Sequence, residues 1–103
     1  MRLDEVMPDV PAGARDVEIT DLVYDDRQAE PGSLFFCVSG FTRDGHEFAP
    51  AAVHRGAAAL VVERPLGLGV PEVRVQSVRA AMAPAAAALL AMTVPLVIER
   101  PEV

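Results

Sequence analysis

The sequence predicts a single small α/β domain with a mostly parallel or mixed sheet of about five strands and two main helices. Three observations carry this. Short apolar runs recur at Leu34–Val38 and Ala58–Glu63, bounded by Gly and Pro. Helix-compatible stretches fall between and after them. At 103 residues, with 51% apolar composition, there is material for one core but hardly for two.

Taken in order, residues 1–16 read as an acidic, Pro-broken lead-in with one helical turn near Leu3–Met7, and the domain occupies 17–103. Val17 to Tyr24 (VEITDLVY) alternates apolar and polar, the period of a half-buried strand. Glu30-Pro31-Gly32 supplies a turn, because Pro presets φ and Gly tolerates positive φ. Leu34–Val38 is continuously apolar and predicts a strand covered on both faces. Glu47–Arg55 predicts a helix with Pro50 in its first turn and Gly56 as its C-cap. Ala58–Glu63 is a second buried strand, and Val73–Val75 a short third. Ser77 is a good N-cap for a helix over 78–91, in which Pro84 predicts a kink or a late start. Thr93–Glu99 predicts a closing strand, at a sheet edge where another chain can pair with it.

Composition excludes several functions. The net charge of -6 argues against non-specific nucleic-acid binding, which needs a basic surface. All nine basic residues are Arg, so no lysine is available to reach a nucleotide's β- and γ-phosphates. Cys37, the one cysteine, cannot form an intrachain disulfide, and its apolar neighbours predict a buried structural thiol. No stretch has the pattern of a signal peptide or a membrane span, so a cytoplasmic protein is expected. No metal-ligand spacing is present; His46 and His54 read as surface or rim residues.

Polar and turn residues concentrate in Tyr24–His46. If the first two strands are parallel neighbours, the loops Asp25-Asp26-Arg27 and Gly40-Phe41-Thr42-Arg43-Asp44-Gly45-His46 share the carboxyl edge, where open α/β sheets bind ligands. Gly40 and Gly45 let backbone N–H groups approach a ligand, Arg27 and Arg43 offer charge to a phosphate, and Phe41 can stack on a base. The same residues also suit ordinary turns with solvated charges. Asp25, Asp26 and Asp44 fit a strand-end cap and an ion pair with Arg27 better than a cation site.

Read together, DDRQAEPGSLFFCVSGFTRDGHEFAPAAVHRGAAALVVE resembles the N-terminal domain of the MurE-type Mur ligases. The family shows Asp-Ser-Arg, Pro-Gly-Asp-Leu-Phe, a Gly closing the strand, Asp-Gly with a following aromatic, and Gly-Ala before an apolar strand. The matching positions are Asp25 and Arg27, Pro31-Gly32, Leu34-Phe35, Gly40, Asp44-Gly45, Phe48, Ala52, Gly56-Ala57 and Val61-Val62. Val75–Met82 also fits, and the resemblance is strongest over 15–90.

The resemblance implies a substrate-recognition domain for a UDP-MurNAc-peptide, with Tyr24, Asp26, Arg27, Phe41, Thr42 and Arg43 as its contacts and no catalytic residue or cofactor in this chain. A full-length relative uses ATP and Mg2+ to join the third amino acid to UDP-MurNAc-L-Ala-D-Glu, and a catalytic Mur ligase domain is an expected partner. Two departures stand out. Asp26 occupies the position of the family's Ser, exchanging a donor for an anion. The last residues, MTVPLVIERPEV, stand where the family continues into a phosphate loop. A MurF-type relative, a non-enzymatic interaction module and a non-functional ligase fragment remain open alternatives.

Overall fold

The computed structural model describes residues 1–40 and 43–93. Its regular elements are α1 (Leu3–Val6), β1 (Asp21–Val23), β2 (Ser33–Phe36), α2 (Ala49–His54), β3 (Ala59–Val62), β4 (Glu72–Arg74) and α3 (Val78–Thr93). Short 3-10 turns occupy Ala12–Ala14, Asp26–Gln28 and Gly45–Phe48. Among the described residues, four strands form one sheet in the order β1-β2-β3-β4, every pair parallel. Leu22 lies opposite Leu34, Phe35 opposite Leu60, and Val61 opposite Val73.

Strand alternation splits the core in two. Leu34, Phe36, Ala59 and Val61 point to one face, where they meet α1 and α3 through Leu3, Val6, Val78 and Ala85. Phe35, Cys37, Leu60 and Val62 point to the other, against Ala49 and Ala52 of α2. β2 and β3 are buried on both faces, which is why they read as unbroken apolar runs. The β3–β4 connection packs Leu66, Leu68 and Val70 over the α2 face as well. Strands advancing in one direction through crossovers of a single hand place every connection on one side. The opposite side is then left for α3 and for the lead-in, whose Leu3, Val6, Met7, Val10 and Ala14 are buried there.

Several boundaries differ from expectation. β1 begins at Asp21 rather than Val17, because residues 17–19 pair with the start of the chain. Leu3 N–H donates to the Val17 carbonyl at 2.8 Å, and Ile19 N–H to that of Met1 at 2.7 Å. The helix predicted over 47–55 is divided, since Asp44 caps a 3-10 turn that runs to Phe48 before α2 starts. Gly56 does end α2: its φ is 109°, and its N–H donates to Val53 O while Ala57 N–H reaches back to Ala52 O. Ser77 Oγ accepts from Ala80 N–H at 3.1 Å, and α3 runs through Pro84 without a late start. Thr93 belongs to α3 rather than to a closing strand, and 94–99 lie outside the described residues. Among the described residues, no helix is long and apolar enough to cross a membrane.

Candidate functional site

Because β1 and β2 are parallel neighbours, the loops that leave them emerge at the same edge. Between them lies an open cleft of about 270 Å3, lined from the first loop by Tyr24, Asp25 and Asp26 and from the second by Gly40, Arg43 and Gly45. Phe35, Val38 and Phe48 form its apolar floor and side.

The first loop is held locally. Asp25 Oδ1 accepts from Arg27 N–H at 3.0 Å, capping the turn, and its carboxylate takes a two-pronged contact from the Arg27 guanidinium at 3.0 and 2.8 Å. These bonds, the side-chain one foremost, pull the Asp25 pKa down to about 2, and the same contact raises that of Arg27. Arg27 therefore faces Asp25 and does not line the cleft. Asp26 does line it; its carbonyl accepts from Ala29 N–H at 3.2 Å, while its carboxylate has no hydrogen-bonded partner among the described residues. The Tyr24 side chain is 65% exposed at the rim.

The second loop is tied to the rest of the sheet. Asp44 Oδ1 accepts from both the backbone N–H and the ring Nδ1 of His46, at 3.0 and 2.7 Å, and its Oδ2 accepts from Arg64 at 3.0 Å. The backbone and ring bonds from His46 hold the Asp44 carboxyl well below the usual carboxylate range. His46 Nε2 accepts from Glu63 N–H at 2.9 Å, and Arg79 donates to the Ser39 carbonyl at 3.2 Å. Gly45 N–H donates to Val38 O at 2.8 Å, and a Cβ on Gly45 would stand 2.6 Å from Val38 N. Glycine is required by this close backbone approach.

Among the described residues, Arg43 faces the cleft without a hydrogen-bonded anion. Its guanidinium carbon sits 4.9 Å from the Phe48 ring centroid. Thus Tyr24, Asp26 and Arg43 converge, while Arg27 is turned away; Phe41 and Thr42 lie outside the described residues. His46 is a correction to the rim assignment, being only 3% exposed. The available signal was Asp44 two positions earlier, since an Asp-Gly-His turn brings the imidazole back onto its own capping carboxylate. Cys37 is buried as expected, and burial, aided by the Asp44 charge, pushes its thiol up to about 12. No group of three His, Cys, Asp or Glu side chains is placed to hold a metal among the described residues.

An open parallel α/β sheet with a mixed apolar and charged cleft at its carboxyl edge defines the class: an open-sheet α/β domain with its cleft where such sheets take ligands. The particular family follows from comparison. Residues 18–102 match the family model described as "Mur ligase family, catalytic domain", and the chain belongs to the Mur ligase family. The chain is 59% identical over 66 residues to UDP-N-acetylmuramoyl-L-alanyl-D-glutamate--2,6-diaminopimelate ligase of Geobacillus thermodenitrificans (strain NG80-2), covering 64% of the chain and 14% of the enzyme. It is 46% identical over 95 residues to UDP-N-acetylmuramyl-tripeptide synthetase of Roseiflexus sp. (strain RS-1), covering 85% of the chain and 19% of that protein. MurF from Acinetobacter baumannii shares the fold with a TM-score of 0.65 at 28% identity, over 74% of this chain and 17% of that one. The sequence relatives are thus MurE-type and the structural ones MurF-type, and the chain spans under a fifth of the length of each.

Proposed function

We propose that this domain recognises the nucleotide end of a UDP-MurNAc-peptide and contributes binding, not bond-making, to a peptidoglycan-precursor ligase. The observation that carries this is the cleft between the carboxyl ends of β1 and β2, with Arg43 at its edge, stacked on Phe48 and holding no carboxylate by a hydrogen bond among the described residues. A guanidinium whose N–H groups are not given to a protein carboxylate is available for charge-assisted bonds to a diphosphate. Tyr24 and Phe41 offer ring faces to a uracil and Thr42 a hydroxyl, whereas the N–H groups of Gly40 and Gly45, expected to approach a ligand, are spent on the Arg43 and Val38 carbonyls at 2.7 and 2.8 Å. Arg27, neutralised by Asp25, acts by shaping the first loop. The cleft volume, about 270 Å3, suits part of a nucleotide rather than a whole sugar-peptide.

ATP activation of the substrate carboxylate, with Mg2+, needs a phosphate-loop lysine that these 103 residues do not contain. A catalytic Mur ligase domain would supply it, and this domain's share of the rate enhancement is to hold the substrate in place. The nucleotide precursor and ATP place such work in the cytoplasm. The MurE-type relatives favour addition of the third amino acid to UDP-MurNAc-L-Ala-D-Glu; a MurF-type reaction is the alternative.

Titration of the 15N-labelled chain with UDP, then with UDP-MurNAc-L-Ala-D-Glu, tests the reading. Amide shifts should concentrate at Tyr24, Asp26, Phe41 and Arg43, and unchanged spectra at millimolar ligand would reject it. A second reading, a non-enzymatic interaction module, draws on an apolar groove of about 190 Å3 between β1 and α3, lined by Leu22, Phe36 and Met82. Shifts confined to that groove on adding a partner protein, with none from UDP, would favour it.

A further inference from the structure

The structure assigns His46 a positioning role: it fixes the side of the cleft formed by Gly40, Arg43 and Gly45 to the end of β3 without touching the ligand site itself. The ring is buried, and both of its nitrogens are committed. Nε2 faces the Glu63 N–H, which can only donate, so Nε2 must present a lone pair and Nδ1 must carry the proton given to Asp44. The charged groups around the ring are all engaged. Asp44 bonds the ring and Arg64, while the Glu63 carboxylate is turned away to accept from Val78 N–H at 2.9 Å, at the start of α3.

A chain of contacts therefore runs from the cleft wall through His46 to the Glu63 peptide, and through the Glu63 side chain to α3. Gly45, adjacent to His46, lines the cleft, as does Arg43 one residue before Asp44. Any displacement of the imidazole moves the loop that carries Arg43. Cutting the two ring bonds separately isolates this role. Gln at position 46 brings Oε1 to the place of Nε2 and can accept from Glu63 N–H. Asn brings its amide to the place of Nδ1, so it keeps Asp44 and loses Glu63.

Nitrogen-detected NMR of the histidine-labelled chain, with H46Q and H46N, tests the inference. The wild type should show His46 protonated at Nδ1 and bare at Nε2. H46Q should bind UDP nearly as the wild type does, whereas H46N should raise the Kd about tenfold and move the Gly40, Arg43 and Gly45 amides. The opposite tautomer would overturn the inference, as would an H46N chain with unmoved loop amides. Equal losses in H46Q and H46N, tracking their loss of Tm, would reduce the role to bulk stability and also overturn it. The affinity arm rests on the UDP reading. If UDP leaves the wild type unmoved, that reading alone fails, and the tautomer and the loop amides of H46N against H46Q still decide the role of His46.

Discussion

The two loops that form the cleft are built on different plans. The loop after β1 is secured by short-range bonds within itself: Asp25 with an exposed Arg27 two residues on, and the turn bonds from Gln28 N–H to Asp25 O and from Ala29 N–H to Asp26 O. The loop after β2 is anchored across the sheet, through Arg64 and Glu63 at the end of β3 and Arg79 at the start of α3. A wall fixed by long-range contacts is pre-formed, and a wall held mainly by short-range bonds can adjust. Such a pairing limits the ordering cost of binding to one side of the cleft.

The largest test of this difference is Gly45→Ala. The added methyl would lie 2.6 Å from Val38 N and 2.9 Å from Cys37 C, both backbone atoms that no rotamer change can move. The expected cost is about 3 kcal/mol or more, read as a fall in Tm of about 10 °C or more. A Tm within 2 °C of wild type (roughly 0.5 kcal/mol) would mean that the second loop is not fixed in this way.

Asp44→Ala follows. It removes the turn cap, the partner of buried Nδ1 and the anchor of Arg64, for an expected loss of about 2 kcal/mol. The Arg27→Ala chain should by contrast melt almost with the wild type, because an exposed pair contributes little. Acid adds a second readout. Asp44 and Asp25 both have depressed folded-state pKa values, so their stabilisation is complete above the ordinary carboxylate value near 3.8 and is lost as pH falls below it. The Asp44→Ala chain should therefore show a shallower loss of Tm between pH 4 and 2 than wild type. An equally steep loss would assign the acid sensitivity elsewhere.

In binding, the contrast appears as Arg43 against Arg27. Arg43→Ala should weaken UDP binding about tenfold or more, since a charge-assisted bond is lost. Arg27→Ala should weaken it only slightly, through the first loop's shape. Isothermal titration of both variants ranks them, and a reversed order would place the phosphates beside the first loop instead.

How much of this was legible in the sequence follows from what each residue answers to. β2 and β3 were readable because both their faces are covered, so the apolar run itself marks the strand. The parallel neighbourhood of β1 and β2 was legible only as a condition for the shared edge of the two loops, because element order alone does not fix strand direction; the β1–β2 register meets that condition. The start of β1 was not readable, because residues 17–19 alternate like a strand whichever segment they pair with, and here they pair with Met1–Leu3. His46 escaped for another reason. Its burial depends on a carboxylate two residues before it and a backbone N–H seventeen residues after it, and apolar periodicity reports on neither. The Arg27 ion pair was legible, since Asp25 stands two residues before it; its consequence, an Arg27 that does not line the cleft, was not.

The smallest expected effect bears on the adjustable wall. The Asp26 carboxylate lines the cleft with no hydrogen-bonded partner among the described residues, so its charge can act on whatever enters. A diphosphate beside it meets repulsion that a serine hydroxyl would replace with a donor. Asp26→Ser should therefore tighten UDP binding by about threefold at low salt, the effect expected of a partly screened surface charge. The gain should shrink as ionic strength rises, because screening removes the wild-type penalty but not the new hydrogen bond's competition with water. Unchanged affinity at every salt concentration would place the phosphates beyond a Debye length of Asp26. Weaker binding would mean that the carboxylate accepts a bond from the ligand, which would give the first loop a recognition role of its own rather than a merely permissive one.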